Sequence, residues 1–375
     1  MIINNTKEFK EVCKTILLAI DTTTEPTRLN EALELTCDEN NLILSVTNRE
    51  YFVKIKLALV GEVGFRATVN ALLFLKLIFQ LTTDTLELTV EDSALVIRAD
   101  GTYKLPLIYK GEELLELPQI ELNNITTTMD IDSSILSSIL QYNTRELQNS
   151  ASKITYNPAQ KLYYVDNNGA ITFTTGACVN NFTLEKPIKL FLSPKIVKLF
   201  KLFSEDTSVA FEMAQDVDVN NNIETKVRFY TDTIDIVSTI HDAKLLTKLL
   251  ESTPVTAIRN MSTKQYDYSV LLERDHLIRA LSRLLLFRDN LSIVAGFTFT
   301  KDHCVIEYSN NVEIVKYSDA HTEDLNYQLH MNIEMLKNIL DGSTEDYITF
   351  NFGDHKAVVI VRQNILNIIP EWTIS

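Results

Sequence analysis

The sequence predicts an α+β protein of three similar domains, each a repeated unit of one helix followed by several antiparallel strands. Three observations carry this expectation. Six blocks alternate apolar and polar residues with the two-residue period of half-buried strands. One short segment of helical period precedes each block, and Pro118 and Pro254 interrupt the pattern so that the six units fall into pairs. The expected domains are residues 1–122, 123–253 and 254–375, each of ordinary domain size.

The strand blocks follow in order. NNLILSVTNREYFVKIKL (41–58) alternates about a turn at Thr-Asn-Arg-Glu, and TLELTVEDSALVIRADGTYKLPL (85–107) turns at Glu91-Asp92-Ser93 and Asp100-Gly101. Residues 161–184, 208–240, 291–318 and 346–361 repeat the pattern. The helical segments are 6–18, 68–81, 132–148, 193–203, 273–288 and 332–342. Thr68, Asp132, Ser193 and Asn332 stand where N-caps belong, and Pro194 suits the first helical position.

Composition narrows the function. The 375 residues are 45% hydrophobic and 23% charged, enough to fill several packed cores. No apolar run approaches the length of a membrane span, and MIINNTKEFKEV lacks the regions of a signal peptide, so a cytoplasmic protein without membrane partners is expected. Cys13, Cys37, Cys178 and Cys304 are scattered, as buried free thiols would be. No phosphate loop, dinucleotide fingerprint or nucleophile elbow occurs, and the six histidines form no metal-binding pair. DVDVNNNIETKV (216–227) begins like a calcium loop but has Asn221 and Val227 where Gly and Glu are required; it reads as the tip of a long hairpin. No catalytic residue, metal or cofactor is expected.

Charge is unevenly placed. The formal net charge is −15, yet the six helical segments together carry +5, leaving −20 on the rest of the chain. In SPKIVKLFKLF (193–203), Lys195, Lys198 and Lys201 share one arc opposite Ile196, Leu199, Phe200 and Phe203. These lysines repel one another, and a face serving solubility alone would mix in acidic residues. Arg279 and Arg283 share a face one turn apart, and Lys7, Lys10 and Lys14 are similarly spaced with Glu8 and Glu11 between them. Each such face reads either as solvated surface or as contact with a polyanion.

SVTNRE (45–50), DSALVIRADGTYKLPLI with ELLELP, FTTGACV (173–179), STIHDAKLLTKLLESTP and LNIIPEW follow one another in an order that resembles the bacterial sliding clamp, the beta subunit of the replicative DNA polymerase. SVTNRE (45–50) resembles the family's Ala-Thr-Asp-Leu-Glu turn, and DSALVIRADGTYKLPLI with ELLELP resembles the end of its first domain. FTTGACV (173–179) resembles the second domain's Ala-Thr-Asp-Gly-His-Arg-Leu. STIHDAKLLTKLLESTP occupies the Gly-x-Phe-Pro-Asp-Tyr region, and LNIIPEW the place of the C-terminal Met-Pro-Met-Arg. The correspondence runs in order over nearly the whole chain.

The resemblance implies three DNA-clamp domains per chain and a head-to-tail homodimer closing a six-domain ring, with helices lining the hole. It implies a non-catalytic processivity factor whose partners are double-stranded DNA, the replicative polymerase, a clamp loader and a second copy. The DNA-facing residues would be Lys10, Lys14, Lys76, Arg145, Lys195, Lys198, Lys201, Arg279 and Arg283. A pocket for partner peptides would involve Thr174, Gly176, Val179, Ile368, Ile369 and Pro370. Cys178 and Glu371-Trp372 depart from the family pattern, as expected of a clamp from a phage or mobile element with its own polymerase. The alternatives are an α+β scaffold that never encircles DNA and a hydrolase with loop-borne carboxylates.

Overall fold

The computed structural model describes residues 1–20, 27, 29–38, 40–48, 50–58, 64–143, 162–173, 176–203, 207–217, 223–240, 248, 251, 255–288, 293–320, 325–353, 357–362 and 364–371. Two compact units form: Met1–Ser137 with Lys198–Lys244, and Ser138–Val197 with Leu245–Ser375. Their limits differ from the expected boundaries at 122/123 and 253/254. The reason is strand pairing, since the middle third gives some strands to a sheet of the first unit and others to a sheet of the second.

In the first unit an eight-stranded antiparallel sheet runs in the order Ile125–Asp132, Ser208–Val217, Ile223–Tyr230, Ile234–Ile240, Tyr51–Ala58, Asn41–Thr47, Ala32–Cys37, Phe65–Asn70. A four-stranded sheet orders Ile2–Ile3, Leu86–Glu91, Ala94–Arg98 and Thr102–Pro106. The turns stand where the sequence put them. Asn48 Oδ1 accepts the N–H groups of Glu50 and Tyr51, and Asp92 takes the left-handed backbone its tight turn needs.

Helices α1 (Thr6–Ala19) and α2 (Ala71–Gln80) pack together in this unit through an edge-to-face contact of Phe9 and Phe74, both fully buried, with ring centres 6.3 Å apart. Asn5 and Asn70 cap them by accepting the N–H groups of Glu8 and Leu73. Thr68, the cap expected for α2, is instead a buried strand residue whose hydroxyl donates to the Leu115 carbonyl at 2.6 Å. The strand outcompetes the helix there because its ladder already holds the Thr68 backbone, pairing it with Glu34.

Residues after the four-stranded sheet fold back over the large one. Leu115 and Leu117 bury against Phe52 and Ala32, and Glu34 accepts the Leu117 N–H at 2.9 Å while ion-paired to Arg66. Helix α3 (Ser133–Ser138) crosses the unit limit and continues as a wider turn over Ile139–Asn143. Helix α4 (Pro194–Leu199) also crosses the limit.

The second unit holds a twelve-stranded sheet: Lys189–Leu192, Tyr163–Asp166, Gly169–Phe173, Ala177–Asn181, Ile365–Pro370, Ala357–Arg362, Tyr347–Phe352, Tyr268–Glu273, Asn311–Ala320, His303–Tyr308, Val294–Phe299, Tyr327–Asn332. Helix α5 (Val255–Thr263) was not expected from the sequence. Helices α6 (Arg274–Leu285) and α7 (Ile333–Asp341) pack over one core containing Leu277, Leu281, Leu336, Phe297, Phe350 and Ile369. Asn332 caps α7 as expected.

One hydrogen bond recurs in all three thirds of the chain. The first residue of the leading helix donates its N–H to a carbonyl just before a later strand: Thr6 to Asp84 at 2.9 Å, Ser133 to Thr207 at 3.3 Å, Arg274 to Asp346 at 2.9 Å. The following helices repeat a second bond, Ala71 to Glu31 at 2.8 Å and Ile333 to Ile293 at 2.9 Å. Each bond satisfies an N–H that the helix leaves unpaired.

Asp216, the first position of the calcium-like stretch, faces inward. Burial raises its pKa, but the Asn124 N–H, the Lys226 ammonium and the Asn123 N–H outweigh that and leave it below the usual carboxylate value. A depressed carboxylate stabilises the fold above its unfolded pKa, and the contribution disappears as pH falls through the folded value. Urea titrations of Asp216→Asn should show a loss of about 1–3 kcal/mol at pH 7, shrinking towards pH 3. A constant difference between pH 7 and pH 3 would contradict this assignment.

Candidate nucleic-acid interface and partner surface

The basic helix face forms largely as its spacing predicts. Ser193 Oγ accepts the Ile196 N–H at 3.4 Å, and α4 passes after Leu199 into a tighter helical turn over Phe200–Phe203. Ile196, Leu199, Phe200 and Phe203 are all buried, and Phe200 packs edge-on against Phe229 at 5.0 Å. Lys198 and Lys201 are exposed and Lys195 is half-buried. The tighter turn has three residues per revolution, so Lys198 and Lys201 come closer to eclipse than α-helical spacing would bring them.

The other expected cations divide into two groups. Lys76 on α2 and Arg279 on α6 are exposed, with no ion pair or side-chain hydrogen bond among the described residues. Lys14 pairs with Glu11 at 2.6 Å on the surface. Arg283 grips Glu313 with two bonds of 2.6 Å and holds that carboxylate below its usual range. Lys10 is part-buried and donates to the Leu81 carbonyl at 2.5 Å, closing the C-terminal end of α2. Arg145 lies outside the described residues. Lys7, exposed on α1 and outside the expected DNA-facing set, likewise has no ion pair or side-chain hydrogen bond among the described residues.

The expected partner residues, apart from Thr174, which lies outside the described residues, meet at one strand junction of the second unit. Ala177–Asn181 pairs antiparallel with Ile365–Pro370, placing Ala177 opposite Ile368 and Val179 opposite Leu366. Gly176 sits so close to the Ile368 carbonyl that an added Cβ would lie 1.8 Å from its oxygen. Val179 and Ile368 share a sheet face with Tyr164, Ile171, Phe191 and Leu366. Ile369 points to the opposite face, into the core beneath α6 and α7, because side chains alternate along a strand. Pro370 is half-buried at the strand end.

Sequence reasoning missed four residues here: Ile258, Arg259, Asp166 and Tyr164. Ile258 of α5 buries against Val179 and its neighbours, and Arg259 pairs with Asp166 at 2.9 Å. Burial, and then the nearby Asp166 carboxylate, push the Tyr164 hydroxyl up to about 12. The stretch VTAIRNMST is rich in β-branched and polar residues, and its helical signal is confined to the three-residue spacing of Val255, Ile258 and Met261.

Among the described residues no group of three His, Cys, Asp or Glu side chains could hold a metal, and no helix is long and apolar enough to cross a membrane. His303 turns to Asp302 and Thr300 while Cys304 is buried, on alternate sides of their strand.

No family model and no curated protein matches the sequence. Solved structures do match, over the full length. The beta subunit of DNA polymerase from Streptococcus pyogenes superposes with a TM-score of 0.79 at 13% identity, with all of both chains covered. A sliding clamp, DNA polymerase III subunit beta, from Pseudomonas aeruginosa bound to griselimycin gives 0.77 at 14% identity, covering 100% of this chain and 99% of that one. The DNA polymerase III beta subunit of Thermotoga maritima gives 0.75 at 15%, with the same coverage. The chain has the α+β fold of bacterial DNA polymerase sliding clamps.

Replacing Gly176 with alanine forces its Cβ into the Ile368 backbone, where no flexible side chain can give way. Denaturant unfolding should show a loss of about 1–3 kcal/mol or more. Wild-type stability in Gly176→Ala would refute the close approach.

Proposed function

We propose that the protein is a DNA polymerase processivity clamp: two copies close head to tail around duplex DNA and tether the replicative polymerase, without catalysis of their own. The reading treats the chain as three repeats, 1–122, 123–253 and 254–375. The hydrogen bond that opens each third supports this division.

The observation that carries the proposal is a strand-pairing rule used twice within the chain. The third strand after the leading helix of one repeat pairs antiparallel with the third strand after the second helix of the next. Tyr51–Ala58 pairs with Ile234–Ile240, and Ala177–Asn181 with Ile365–Pro370. Asn311–Ala320 and Thr102–Pro106 hold the equivalent positions left over. Thr102–Pro106 pairs on one side only among the described residues, and the Asn311–Lys316 stretch does likewise. Open apolar edges of this kind invite pairing with another chain. Val312 and Ile314 are exposed on one, while Leu73, Leu105 and Ile108 line a cleft of about 280 Å³ beside the other. Applying the rule a third time joins two copies, and a symmetric pair of such joints closes.

Helices carrying Lys76, Lys198, Lys201 and Arg279 would face the duplex, making non-specific phosphate contacts that allow sliding. The strongly acidic remainder of the chain would repel DNA elsewhere. The strand junction with Gly176, Val179, Ile368 and Pro370 would receive polymerase and loader peptides. This assembly suits the cytoplasm.

The decisive experiment loads the protein onto nicked circular DNA with a clamp loader and then linearises the circle. Release on cutting is expected; equal retention on linear and circular DNA would favour the scaffold reading. The double variant Lys198→Glu, Lys201→Glu should remain dimeric yet lose retention at physiological salt, and unchanged retention would remove these lysines from the interface. Sedimentation should find Val312→Pro monomeric at micromolar concentrations where the wild type is dimeric, because proline cannot donate to a strand ladder. A Val312→Pro dimer of wild-type strength would displace the proposed edge.

A further inference from the structure

Arg283, expected at the DNA face, is committed elsewhere. Its Nε and Nη2 each donate to Glu313 at 2.6 Å, one to Oε1 and the other to Oε2, the parallel geometry of a strong guanidinium–carboxylate pair. Glu313 lies in the stretch Asn311–Lys316, which pairs only with His303–Tyr308 among the described residues and leaves its other side open. Side chains alternate along this stretch. Val315 is fully buried in the core beneath α6, and Glu313 shares that side of the sheet. Val312 and Ile314 stand out on the opposite face at 56% and 57% exposure.

A carboxylate in an edge strand ordinarily keeps other strands away, because pairing would strip its water. The Glu313 side chain is already largely shielded, at 18% exposure, and stays ionised. The Arg283 hydrogen bonds hold it below the usual carboxylate range, burial opposes them, and the charges of Arg283 and His276 add to them. Residues opposite each other in an antiparallel pair share a sheet face, as Val53 and Ile236 do at the seam in the first unit. A second copy's Thr102–Pro106 strand, added to this edge with its core side matched, would bring its buried Leu105 to Glu313, with Leu73 and Ile108 behind it. The one charged side chain among the residues lining that cleft is Glu31, which would repel Glu313. Lys104 lies on the opposite face from Leu105. No cation arrives on the core side, so the counter-charge must come from Arg283.

We infer that Arg283 is a positioning residue for self-association: by neutralising Glu313 from within its own chain, it lets the Asn311–Lys316 edge accept a strand from a second copy. The inference rests on the clamp reading, which supplies the second copy and the joint. It gives Arg283 a task at the joint and not at the duplex. Without the guanidinium, a docking strand would bury a lone carboxylate, the costly case for an ion. With both charges removed, a neutral amide is left to be covered. In the free chain the pair is partly exposed and adds little to folding, so the effect falls on association.

The test compares the full-length wild type with Arg283→Gln and with the double variant Arg283→Gln, Glu313→Gln, by sedimentation over a concentration series and by urea unfolding of dilute, monomeric samples. Arg283→Gln should dimerise about a hundredfold more weakly than wild type, the factor expected when a buried ion loses its partner. Its urea midpoint as a monomer should match that of the wild type. The double variant should recover to within about tenfold of wild-type affinity, since it buries no charge. Wild-type affinity in Arg283→Gln would overturn the inference. So would a double variant as weak as the single one, because Arg283 would then act on the second copy directly. An Arg283→Gln monomer that unfolds early would also overturn it, as the pair would then serve the fold. A wild type that stays monomeric throughout would sink the joint and the clamp reading with it, and the wild-type series alone reads that failure.

Discussion

A strand at the end of a sheet leaves a row of N–H and C=O groups that must find partners, and this requirement organises the whole chain. At two places it is met by pairing strands far apart in sequence, Tyr51–Ala58 with Ile234–Ile240 and Ala177–Asn181 with Ile365–Pro370. These seams carry the large sheets across the thirds of the sequence. They also explain why the compact units cut through the middle third. Side chains secure the margins of each seam. Ser238 Oγ donates to the Glu50 carbonyl beside the first, and Gly176 lets the backbones meet at the second.

The sheets carry one further layer. Two segments lie on sheet faces beside a charge pair, Leu115–Leu117 beside Glu34–Arg66 and α5 beside Asp166–Arg259. Both pairs are partly shielded from water, so they fix position more than they add net stability. The difference between the two lies in the apolar anchor. Leu115 and Leu117 are both buried, whereas α5 commits Ile258 alone.

The helices resolve the contrast between an acidic chain and its basic faces. Lys198 and Lys201 can stand on one face because Ile196, Leu199, Phe200 and Phe203 hold the other in the core. Cations at comparable spacing elsewhere are spent within the fold, Lys10 on the end of α2 and Arg283 on Glu313. Spacing alone cannot separate these cases, since the carbonyl or carboxylate that engages the cation comes from a distant part of the chain.

The sequence by itself determined the periodic features: six helices, the strand blocks with their turns at Asn48 and Asp92, and the buried side of SPKIVKLFKLF. These depend on contacts within a few residues and on side-chain period. It also contained, in order, the stretches that resemble the sliding clamps whose fold the chain has. Tertiary structure alone decided the rest. Thr68 became a strand residue because Glu34 pairs with it, and Ile369, not Ile368, entered the core beneath α6 and α7 because pairing with Ala177–Asn181 and Ala357–Arg362 set which face each takes. Helix α5 exists because a sheet face needed cover, not because VTAIRNMST favours a helix. In each case the deciding partner lies tens to hundreds of residues away, beyond what local periodicity can encode.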